Sequence, residues 1–68
     1  MTAEAFNAAL EALRWSQRGV ADALGCDVKI VHRYAHGIAD IPDSIALWLA
    51  TLAEFHVKNP PPADWKRR

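Results

Sequence analysis

Lys29 and Arg33 stand one helical turn apart in the run DVKIVHRYAHG, and His32 and His36 repeat that spacing. On a helix, residues four positions apart share a face, so this run would array two cations and two imidazoles along one side. Such a face recognises partners without transforming them. A guanidinium offers a planar fork of donors, an ammonium is a point charge, and an imidazole adds a hydrogen bond or, once protonated, a further charge. Val31, Tyr34 and Ala35 interleave with these residues as an apolar stripe, which leaves Val28, Lys29, His32, Arg33 and His36 pointing away from a core. The spacing of His32 and His36 also suits a metal. Only Cys26 and His56 remain as further soft ligands, however, and no HExxH pattern accompanies them, so no metal or other cofactor is expected. Nor is an enzyme expected: there is no nucleophile with an evident base, no carboxylate pair and no glycine-rich phosphate loop.

The elements that would position this face are legible in the residues before it. Ser16 is a good N-cap, and Val20, Ala21 and Leu24 then fall on one side of a short helix. Gly25 ends that helix where a left-handed residue is needed, and Asp27 can cap a second helix over 27–36 that Gly37 closes. With only Cys26 and Asp27 between the stop and the next start, the two helices must cross steeply.

Gln17, Ala21 and Gly25 at four-residue steps, then Val31, Tyr34 and Gly37, resemble the lambda-repressor/Cro-like (Xre-type) helix-turn-helix domains. The resemblance is tight over residues 16–37 and looser up to about His56. One departure is Gly19, which weakens the first helix of the pair by up to about 1 kcal/mol relative to alanine. The resemblance implies an all-α, four- to five-helix domain whose second motif helix enters the major groove of double-stranded DNA. Residues at the places of Val28, Lys29, Arg33 and His36 would make base contacts, and the place of Gln17 would bind backbone phosphate. The residues agree with that assignment on their own account. Arg33 suits guanine O6 and N7, Lys29 suits guanine or a phosphate, and Val28 suits a thymine methyl. Ser16, Gln17 and Arg18 sit at a helix N-terminus, where free amides favour an anion.

Composition sets outer limits. Sixty-eight residues allow one domain, and a single cysteine excludes an internal disulfide. No signal-peptide pattern and no apolar run of about 18 residues is present, so a cytoplasmic, reduced setting is expected. The formal net charge is zero, against a DNA-binding reading if charge alone decided. Its distribution favours that reading: Arg14, Arg18, Lys29 and Arg33 outnumber Asp22 and Asp27 around the motif, and the remaining acids lie outside it.

Flanking segments read as scaffold. Thr2 can cap a helix in which Phe6, Ala9, Leu10 and Leu13 form one stripe, and Trp15 is placed to staple onto the Val20 side of the next helix. After Gly37, Asp40 is a plausible cap and Pro42 a tolerated start for a last helix over 43–57. Its apolar arc is wider than one small core needs, which singles out Leu47, Trp48 and Phe55 for a homodimer contact. The Pro-rich tail folding back over them is the competing arrangement. A helix-turn-helix domain over 1–58 and a Pro-rich tail over 59–68 is therefore expected. In that tail Trp65 could dock on the body, and Lys66, Arg67 and Arg68 read as a solvated end in preference to phosphate contacts. The function expected is a sequence-specific transcriptional regulator, a repressor acting as a homodimer. The alternative is an antitoxin-like or other protein-interaction component that uses the last helix as its partner surface.

Overall fold

The computed structural model describes residues 1–62; the positions of Trp65, Lys66, Arg67 and Arg68 lie outside the described residues. It contains four helices and, among the described residues, no strand: α1 Ala3–Leu13, α2 Gln17–Leu24, α3 Val28–Ala35 and α4 Asp43–Lys58. No helix among the described residues is long and apolar enough to cross a membrane.

The first three helices start on side-chain caps. The Thr2 hydroxyl accepts from Ala5 N–H at 3.0 Å, Ser16 Oγ from Gly19 N–H at 3.0 Å, and Asp27 Oδ1 from Lys29 N–H at 2.9 Å. Each bond satisfies a first-turn amide with no partner inside its helix. α4 differs from expectation. Its N-cap position is Pro42, with no side-chain cap bond, so Asp40 does not serve there. Proline needs no such bond to start the helix, because its φ is already set for extended backbone leading into the first turn.

The same three helices also stop alike. Arg14, Gly25 and Gly37 each take left-handed backbone with φ of 57°, 70° and 70°. The amide of the following residue reaches back five positions in each case: Trp15 to Leu10, Cys26 to Ala21 and Ile38 to Arg33, at 2.9, 3.0 and 2.9 Å. This double-bonded stop turns the chain sharply while satisfying the last carbonyls. Glycine adopts it without strain at two of these stops. Arg14 adopts it with a Cβ, at a cost of roughly 1–2 kcal/mol.

The core forms where the helices meet. Phe6, Ala9 and Leu10 from α1, Val20 and Ala21 from α2, Val31 and Ala35 from α3, and Leu49 from α4 are all buried. α1 is the hub, packing against both α3 and α4, while α2 packs against α3. The Phe6 ring meets Tyr34 edge-on at 6.0 Å between centroids. Asn7 Nδ2 donates to the Ala35 carbonyl at 2.8 Å, tying the middle of α1 to the end of α3.

Leu49 alone is fully buried on α4, although the apolar arc there is wide; Ile45, Trp48 and Ala53 pack partly buried against the core. Trp15 has a partner that local periodicity did not reveal. Its ring lies 5.7 Å from that of Trp48, joining the α1–α2 connection to the first half of α4. Of the three expected dimer residues, Trp48 is thus half-covered by its own chain. Leu47 and Phe55 remain open, 71% and 66% exposed, and Val57 joins them at 68%.

Candidate nucleic-acid interface

α2 and α3 follow each other across Gly25–Asp27, and their contact is lined by small or branched residues. Ala21 is 2% exposed and Val20 and Val31 are fully covered, so the two helices approach closely without a large side chain between them. Burial of Val31 and Ala35 fixes the rotation of α3. Lys29, His32, Arg33 and, just past the helix end, His36 are then exposed on its outer side. Val28 departs from its expected outward placement. It is half-buried and packs against the core, because it lies three and seven residues before the buried Val31 and Ala35 and so shares their side of the helix.

Gln17, Val28, Lys29, His32, Arg33 and Ile38 line one shallow groove of about 460 Å³. Gln17 opens α2, whereas Lys29 and Arg33 belong to α3, so the crossing of the two helices brings the expected phosphate-binding place beside the expected base-reading ones. Ser16, Arg18 and His36 lie outside this groove. Ser16 and Arg18 are exposed at the start of α2, and Ser16 Oγ, already accepting from Gly19, keeps its own hydrogen for donation. His36 lies against His32 with ring centroids 4.0 Å apart and planes tilted by 39°. Among the described residues, no group of three His, Cys, Asp or Glu side chains is placed to hold a metal.

Electrostatically the groove is undiluted. α3 contains no acidic residue, and Asp27, immediately before it, is engaged by Lys29 N–H. Among the described residues the ion pair formed is Lys58 with Glu54 at 2.8 Å, on α4; Arg18, Lys29 and Arg33 pair with no carboxylate. At the start of α2, Gly19 N–H is taken by Ser16 Oγ and Val20 N–H by the Ser16 carbonyl. The N–H groups of Gln17 and Arg18 have no acceptor among the described residues. They point along the positive end of the helix, beside the Gln17 amide and the Arg18 guanidinium.

Ile38 is the groove residue that sequence reasoning missed. The signal was present. Gly37 as a left-handed stop places the next residue back against the last turn of α3, and Arg33 is the residue whose carbonyl it reaches. Taken together, the arrangement offers free cations, free amide donors and an apolar flank on one concave surface. It suits an extended polyanion that also displays hydrogen-bond acceptors. The chain matches no protein-family model, and comparison with curated proteins and with solved structures finds no match.

Proposed function

We propose that this protein is a sequence-specific DNA-binding regulator of the lambda-repressor/Cro-like, Xre-type helix-turn-helix class, acting as a repressor. α3 is its recognition helix. The observation that carries this reading is the uncovered basic face of Lys29 and Arg33, which shares a groove with Gln17 at the amide end of α2. Eight residues make α3 about 12 Å long, comparable to the roughly 12 Å width of the B-DNA major groove. Arg33 reads guanine through O6 and N7, Lys29 reads guanine or holds a phosphate, and Val28 faces the base edges from the margin of the core. Gln17, Arg18 and Ser16 clamp one phosphate with the α2 amides, setting register without reading sequence. His32 and His36 add donors along the same strand. Two copies bind a palindromic site with half-sites about one helical turn apart.

A second reading is supported by α4. Leu47 and Phe55 are large, apolar and open on a helix that is seated on α1 through another face; Val57, also open, borders α1 in a groove with Ala8 and Ala12. That surface suits an antitoxin-like component, which holds DNA with α3 and a protein partner with α4.

A salt titration on duplex DNA tests the DNA reading. Each phosphate contact adds about −0.9 to the slope of log K against log salt, so a steep slope is expected. Arg33→Ala relaxes preference at one base-pair step, by about 1–3 kcal/mol of discrimination. Gln17→Ala weakens every duplex alike. Absence of binding to any duplex at low salt removes the regulator reading and leaves the protein-binding one.

A further inference from the structure

We propose that Ile38 is a specificity-determining residue that seats the 5-methyl group of a thymine next to the guanine read by Arg33. The inference rests on the DNA-binding reading and extends it to a position beyond the end of the recognition helix. Three apolar residues, Trp15, Cys26 and Ile38, occupy the same place, one residue past a left-handed helix stop. There an apolar side chain ordinarily folds back on the preceding helix. Trp15 and Cys26 do so, half-buried against the core. Ile38 does not. It stands 70% exposed and lines the groove with Lys29 and Arg33.

The anchoring of Ile38 is independent of its side chain. Its N–H donates to the Arg33 carbonyl at 2.9 Å, a bond that any residue except proline makes, and the Ala39 N–H reaches the same carbonyl at 3.4 Å. The backbone therefore holds a branched apolar group at a fixed place beside the arginine, where its exposure contributes little to stability. In the major groove the one apolar feature of the four bases is the thymine methyl. A guanidinium engaged with guanine O6 and N7 sets the adjacent base pair within reach of a neighbouring side chain. An isoleucine there distinguishes thymine from cytosine by burying a methyl group, without a hydrogen bond.

The experiment uses the full chain and duplexes selected by it from a random pool. Each thymine of the selected consensus is replaced in turn by deoxyuridine, which removes the methyl and nothing else, and affinity is measured at fixed salt for the wild type and for Ile38→Ala. One thymine beside a guanine is expected to lose about fourfold in wild-type affinity on replacement, the equivalent of one buried methyl group. Ile38→Ala is expected to bind the thymine and uracil duplexes equally, and to melt like the wild type because the side chain it removes is exposed. A wild type indifferent to every uracil, a consensus with no thymine beside guanine, or an Ile38→Ala chain that keeps the discrimination overturns the inference while leaving DNA binding intact. Failure to bind any duplex overturns both.

Discussion

Arg14 shows how a single residue can be placed against its own preference. It takes φ of 57° at the end of α1, where the equivalent stops after α2 and α3 are glycine. The fold tolerates the strain because the Leu10 and Glu11 carbonyls are satisfied only if the chain turns there. Arg14→Gly is expected to relieve it. The gain is roughly 1–2 kcal/mol of left-handed strain less about 0.5–1 kcal/mol of glycine entropy in the unfolded chain. A rise of a few degrees in melting temperature, read by circular dichroism, is the outcome; a fall would mean that the Arg14 side chain contributes more than its backbone costs. The stops at Gly25 and Gly37 were legible in the sequence because glycine announces left-handed backbone. The one at Arg14 was not, since arginine carries no such signal.

At the scale of elements, the caps at Thr2, Ser16 and Asp27, the boundaries of α1 to α3 and, apart from Val28, the buried side of α3 could be read from local pattern. Each depends on residues within a turn or two. What local pattern could not supply was which helices meet. Hydrophobic periodicity names a face and not its partner, so the seat of Trp15 against Trp48 and the bond from Asn7 to the Ala35 carbonyl emerged only with the tertiary arrangement. The tryptophan pair makes a measurable claim. In a double-mutant cycle of Trp15→Ala and Trp48→Ala, the coupling energy is expected to be about 0.5–1.5 kcal/mol, the range for aromatic pairs. Additive losses would place each ring against the core separately. Because Trp48 is engaged in this way, a charge introduced there would perturb the fold before it reported on association.

For the whole molecule, the open apolar residues of α4 are the place to look for a second copy. Leu47→Glu and Phe55→Glu leave the buried set untouched, since both side chains are more than half exposed. If the wild type forms the proposed homodimer, sedimentation equilibrium of each variant is expected to show a monomer, with the helical circular dichroism of the fold retained. A wild type that is already monomeric at micromolar concentration would redirect α4 to a different protein partner. The width of the α4 arc was evident in the sequence. How much of it α1 and the Trp15 ring would cover was not, because coverage is a property of the packed assembly.

Among the described residues, the side chains of Lys29, His32 and Arg33 form no hydrogen bond or ion pair with the rest of the protein. They take no part in the core, so they are interchangeable in a way that Val28, Val31 and Ala35 are not. A new triplet of outward residues could be transplanted onto α3 with the buried set left as it is, so on the proposed reading this small chain can acquire a different preference without having to relearn how to fold.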